Sequence, residues 1–118
     1  MKWFLSVTLF ATLVLLGCGV SGRDFSVKDV TKSETIILKK EPGQESITGI
    51  SITGRGSIVG TAEVQLILNG AVYKKEEVQD GVSFVWGGDW YADQAEVRFV
   101  AGTASSGSLT LRYDFHDL

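Results

Sequence analysis

The sequence predicts an all-β protein: a single antiparallel β-sandwich of about seven or eight strands, immunoglobulin-like or jelly-roll in topology, with a small closed β-barrel as the alternative. Three observations carry this expectation. Beyond residue 23, apolar and polar residues alternate with a period of two, as half-buried strands require. The same region nowhere shows the i, i+3, i+4, i+7 apolar spacing of an amphipathic helix. Gly and Asp punctuate the alternation, and fourteen Gly against one Pro supply turns without breaking strands.

Taken in order, residues 25–30, 35–40 and 46–53 read as strands, with Pro42-Gly43 as a turn between the last two. Residues 55–60 are Gly-rich and read as a bulge or a loop. Over 61–68, Ala62, Val64, Leu66 and Leu68 share one face. Asn69-Gly70 follows, a two-residue signal for a type I′ hairpin. A regular hairpin would set Leu68 opposite Ala71, Leu66 opposite Tyr73, Gln65 opposite Lys74 and Glu63 opposite Glu76. Lys74-Lys75-Glu76-Glu77 places charge on both faces of 72–78, the mark of a protected edge strand. Val82, Phe84 and Trp86 form a shorter apolar face. In 94–101, Ala95, Val97, Phe99 and Ala101 oppose Gln94, Glu96 and Arg98. In 108–116, Leu109, Leu111, Tyr113 and Phe115 oppose Ser108, Thr110, Arg112, Asp114 and His116. The Gly/Ser/Thr stretch 102–107 has hairpin length, so these two strands are expected to pair.

The N-terminus has a different character. Lys2 precedes an uncharged apolar run over residues 3–17. As a helix that run would reach roughly 22 Å, short of the roughly 30 Å hydrocarbon core of a bilayer, which suits a signal peptide better than a membrane span. It ends in Leu15-Leu16-Gly17-Cys18, which resembles the lipobox of bacterial lipoproteins. That resemblance covers only about the first twenty residues. It implies cleavage before Cys18, diacylglycerol on the Cys18 thiol and acylation of the new terminus. One acyl chain anchors marginally, whereas two or three anchor durably. Gly19, by resemblance to enterobacterial lipoproteins, implies sorting to the outer membrane. The expected organisation is therefore a signal peptide over 1–17, a lipidated Cys and tether over 18–23 too short to cross a cell wall, and a β-domain over 24–118. The alternative is an ordinary secretory signal cut after Val20-Ser21-Gly22, releasing a soluble protein.

Composition narrows the chemistry. Eleven basic and fourteen acidic residues give a net charge of −3, with no basic footprint for nucleic acid. One Cys and one His cannot form an intramolecular disulfide or a Cys/His zinc site. No G-x-S-x-G elbow occurs, and His116 lies on the polar face of the last strand, about 7 Å along it from Asp114. No cofactor or metal is expected.

The most unusual segment is Trp86-Gly87-Gly88-Asp89-Trp90-Tyr91-Ala92-Asp93. Aromatic faces stack on sugar rings and carboxylates accept their hydroxyls, so Trp86, Asp89, Trp90, Tyr91 and Asp93 form a candidate saccharide site. The competing reading makes Trp86 part of the core, continuing the parity of Val82 and Phe84, with Trp90 and Tyr91 plugging the end of the sandwich. The Asp89/Asp93 spacing lacks the alternating ligand ladder of a known calcium loop.

The function expected from sequence is that of a non-enzymatic, membrane-anchored envelope lipoprotein that binds another envelope component, protein or glycan. The alternatives are a saccharide-binding module using residues 86–93 and an inhibitor of a hydrolase, secreted or anchored. The anchor makes a first prediction. Cys18→Ala should abolish incorporation of labelled palmitate and leave an unprocessed or soluble product, read by intact mass; unchanged labelling would refute it.

Overall fold

The computed structural model describes residues 23–118. The expected signal peptide, Cys18 and the tether as far as Gly22 lie outside the described residues; Arg23, assigned above to the tether, opens the first strand. Six strands follow one another: β1 (Arg23–Ser26), β2 (Glu34–Lys39), β3 (Ile47–Leu68), β4 (Ala71–Asp89), β5 (Gln94–Ala101) and β6 (Ser106–Asp117). Every ladder between them is antiparallel.

The 22-residue β3 and the 19-residue β4 form one long hairpin that serves two sheets. Over Ile47–Val59, β3 pairs with β6, which pairs in turn with β1. Over Ala62–Ile67 it pairs with β5, which pairs with β2. Counting each half of β3 and β4 as a segment gives eight, in sheet orders 1-8-3-6 and 2-7-4-5. That is the strand order of a jelly roll, with two corners made by bent strands instead of loops. Among the described residues β1, β2 and β4 each pair on one side only, so the sheet does not close into a barrel.

The corner is made where sequence allows it. The β3–β4 register slips between Ile58 and Thr61, and Gly60 sits at φ +99° within the slip. A Cβ on Gly60 would lie 2.4 Å from the Thr103 carbonyl oxygen. That close approach lets the chain after β5 cross the corner, with the amides of Ala104 and Ser105 donating to the carbonyls of Thr61 and Val59 at 3.0 and 2.9 Å. On the partner strand, Asp80 takes φ 54° at the same bend.

Both halves turn their apolar faces into one core. Ile50, Ile52, Phe84, Leu109, Leu111 and Phe115 come from one sheet, and Ile36, Leu38, Val64, Leu66, Val97 and Phe99 from the other. No polar or charged side chain is buried among the described residues, so burial of apolar surface carries the packing. Phe84 lies over Gly54, its register partner, where a Cβ would meet the ring at 2.2 Å. At the far side, the Arg23 guanidinium donates to the Lys39 carbonyl and links the edge strands β1 and β2 of the two sheets. In the connection between them, Asp29 accepts both the Thr31 hydroxyl at 2.6 Å and the Thr31 amide at 2.9 Å, which holds its carboxyl below the usual carboxylate range.

Several expectations need correction. Residues 94–101 and 106–117 do not pair with each other. The short link between them changes sheet, because both strands find the longer β3 as their partner. Residues 46–53, 55–60 and 61–68 are one strand, since the Gly-rich stretch stays in register with β6 and bulges only at its end. The first strand covers 23–26, not 25–30, and Val27 and Val30 are buried after it. The Asn69-Gly70 turn forms as expected, with φ values of 53° and 81° and Leu68 facing Ala71. A slip between Leu66 and Ile67 then makes Tyr73 an extra residue. Leu66 therefore faces Lys74, Gln65 faces Lys75 and Glu63 faces Glu77. The like-charged Glu63 is steadied by Gln65 Nε2, which donates to it at 2.7 Å. Leu68, expected inward, is 39% exposed, while Ile67 is buried.

The 72–78 stretch is an edge, as its charges require. Lys74 and Glu76 face Leu66 and Val64, half-buried on the inward parity, which discourages further strand pairing there. The Gly54 contact predicts that Gly54→Ala destabilises the protein by about 1–3 kcal/mol through overpacking against Phe84. Gly81→Ala, where an added Cβ meets nothing within 4 Å, should change stability by less than about 0.5 kcal/mol. Urea unfolding of the two variants checks the contrast; equal effects would refute it.

Candidate functional site

Two local features converge at the end of the sandwich beside the Asn69-Gly70 turn. The first is the bulge in β4, which frees Tyr73 from the ladder and leaves it 52% exposed. The second is the connection from β4 to β5. Its Trp90 is pinned at both ends: the amide donates to the Thr48 carbonyl at 3.2 Å and Nε1 donates to the Gln94 carbonyl at 3.0 Å. Trp90 is 5% exposed, and the next residue, Tyr91, is 74% exposed. Satisfying the indole N–H is what allows so large an amphipathic ring to be buried there.

Between these features lies a cleft of about 270 Å³ lined by Leu68, Tyr73, Asp89, Trp90, Tyr91 and Ala92. Its surface is mostly apolar, and Asp89 is its one acidic group. Tyr73 and Tyr91 are the exposed aromatic residues among those described, and both line this cleft. Lys74 stands beside it, with Nζ 5.3 Å from the centre of the Tyr73 ring. Such an arrangement suits a flat ligand with apolar faces and a polar rim, because rings cover the faces while Asp89 accepts hydrogen bonds from the edge.

The residues singled out from sequence thus divide. Asp89, Trp90 and Tyr91 line the cleft. Trp86 is 8% exposed, packs 4.8 Å from Phe84 between ring centres, and reaches only a recess of about 20 Å³, room for one water. Asp93 turns away: its carboxylate lies 3.8 Å from Lys40 Nζ, and the Lys40 amide donates to its carbonyl at 3.0 Å. The core reading holds for Trp86 and Trp90 and fails for Tyr91, which plugs nothing. Tyr73 and Leu68 were missed, because regular alternation set Tyr73 against Leu66 and turned Leu68 inward. Only the tyrosine beside an Asn-Gly turn could have signalled it.

Elsewhere the chemistry is thinner. A larger concavity of about 500 Å³ lies beside the bend midway along the β3–β4 ladder, where Glu63, Glu77, Thr61 and Gln79 line it without an aromatic ring. His116 lies over Gly49, and its Nε2 is 2.8 Å from Ser51 Oγ. Among the described residues no carboxylate bonds the His116 ring, and the pair lines neither cleft. A nucleophilic serine needs an oriented base and a site for the developing oxyanion. Among the described residues no three His, Cys, Asp or Glu side chains gather as a metal site would need.

No protein-family model matches the chain, and no curated protein sequence matches it. Among solved structures, the chain is similar to the crystal structure of PirA, with a TM-score of 0.55 and 17% identity over 82% of this chain and 94% of that one. A CBM4 structure aligns at TM-score 0.45 and 12% identity, over 84% and 81% of the two chains. The carbohydrate-binding module CBM36, solved with calcium and xylotriose, aligns at 0.39 and 14%, over 83% and 90%. At these identities the likeness to PirA speaks for the fold, and the two weaker alignments carry no argument about the site: the chain is an antiparallel β-sandwich similar in architecture to PirA.

Proposed function

We propose that this protein is a non-enzymatic binding protein that takes a saccharide in the Tyr73–Tyr91 cleft and is held at a bacterial envelope membrane through acylated Cys18. The observation that carries the saccharide reading is the pairing of exposed rings. Tyrosines eighteen positions apart, on a bulged edge strand and a loop, line one apolar hollow together with Asp89. The C–H face of a pyranose is apolar and its hydroxyls project from the ring edge, so a tyrosine wall and a carboxylate acceptor match both parts. Tyrosine serves well there, since its ring brings large contact area at little cost in side-chain freedom.

A role without turnover is supported by the carboxylates. Glycoside hydrolysis ordinarily uses two of them about 5–9 Å apart across the scissile bond. The cleft has Asp89 alone, with Asp93 drawn to Lys40. Anchoring is supported by Leu15-Leu16-Gly17-Cys18, and the outer membrane by Gly19, with the folded domain beginning only five residues beyond Cys18.

The reading predicts that Tyr91→Ala and Tyr73→Ala each weaken saccharide binding by about tenfold or more, equivalent to about 1.4 kcal/mol. Both side chains are largely exposed, so stability should shift far less than on Trp90→Ala. That change removes a buried, hydrogen-bonded indole and should cost about 3–5 kcal/mol. Titration of a panel of neutral oligosaccharides by calorimetry, with thermal melts of each variant, makes the test. A panel that binds equally well to Tyr91→Ala would sink the proposal.

A further inference from the structure

We infer that the cleft is a one-ring site, built for a single neutral hexopyranose at a chain end or branch and not for a run of sugars along a chain; this rests on the saccharide reading above. Size is the first argument. About 270 Å³ falls just under the roughly 300–1,000 Å³ of pockets that enclose drug-sized ligands, leaving room for one ring and its substituents. The aromatic surface is equally small. An extended groove needs a stacking surface for each successive sugar, yet Tyr73 and Tyr91 are the exposed aromatic residues among those described, and they face the same hollow.

The surroundings agree. A chain running on along β4 would meet Lys74, Lys75, Glu76 and Glu77 in succession and reach the concavity lined by Glu63 and Glu77, with no ring to lie on. In the other direction the lining ends at Ala92, and Asp93 is turned to Lys40. Charge sets the chemical class. Asp89 is the charged residue lining the cleft, and a carboxylate or phosphate on the sugar would be brought beside this like charge, a repulsion that the exposure of Asp89 softens but does not remove. Lys74 does not line that cleft, its ammonium lying by the Tyr73 ring. A neutral sugar meets no such penalty, and its hydroxyls donate to Asp89.

The experiment is calorimetric titration of the full-length protein with methyl glycosides of glucose, galactose and mannose, their linear tri- and hexasaccharides, and methyl glucuronide. For the sugar recognised, the methyl glycoside and its hexasaccharide should bind within about threefold of each other. The glucuronide should bind at least tenfold more weakly than methyl glucoside, and Tyr91→Ala should weaken binding of every sugar by about tenfold or more. Affinity rising tenfold or more from one ring to six, still weakened in Tyr91→Ala, would overturn the one-ring inference while leaving the saccharide reading intact. Glucuronide binding as tight as the neutral glycosides would overturn the assignment of charge. Binding of none of these sugars, or binding indifferent to Tyr73→Ala and Tyr91→Ala, would overturn both readings.

Discussion

A hairpin whose two strands must each lie in two sheets has to turn both strands at the same level, and the rest of this molecule follows from that bend. β3 and β4 run unbroken for 22 and 19 residues, so neither corner of the sandwich on this side is a loop. The turn is placed where Gly60 accepts a positive φ and lets the Thr103 carbonyl approach closer than any side chain would permit. Once β3 is bent, its two halves offer ladders to two different strands. β6 takes the first half and β5 the second, and the short link between β5 and β6 becomes a crossing between sheets, tied down on Val59 and Thr61.

The bend also explains why one edge strand carries the candidate site. β4 bounds both sheets, so one of its sides is free along its whole length among the described residues. The half with Lys74 to Glu77 defends that edge with inward charges, and the ladder there slips by one residue. The residue expelled by the slip is Tyr73. At the far end of the same strand the chain leaves for β5 through Trp90, whose burial and two hydrogen bonds hold the loop in one position. A buried indole and a bulge therefore set the spacing of two exposed phenol rings that belong to neither core nor ladder. Rigid support of this kind lowers the ordering cost of binding, because the walls stand in place before a ligand arrives.

Much of the architecture was legible because strands leave a strong record. Alternation over 61–68, 94–101 and 108–116 sorts Ala62, Val64, Leu66, Ala95, Val97, Phe99, Leu109, Leu111 and Phe115 into the core, where they are buried, whereas Ala101 and Tyr113 on the same faces are only partly buried and Leu68 is exposed. The Asn-Gly turn and the charged edge were equally plain, since left-handed backbone and edge protection each demand particular residue types. The site was legible only in half. Asp89, Trp90 and Tyr91 stood out by composition, but their directions did not: Trp86 and Trp90 are alike in type and both buried, while Tyr91 beside them is open. Trp90 is buried with the Gln94 carbonyl in reach of its indole N–H and Trp86 is buried against Phe84, both matters of folded distance.

Sequence by itself determined the strand content, the turn at Asn69-Gly70, the inward parity of the main strands and the edge character of residues 72–78, because these rest on local preferences of backbone and side chain. Tertiary structure alone decided that β5 and β6 part company, that residues 47–68 are one bent strand, and that Tyr73 and Tyr91 line one cleft. Those depend on competition for ladder partners and on a one-residue slip. A slip of one residue reverses every side chain beyond it, yet it costs so little locally that no pattern in the chain announces it.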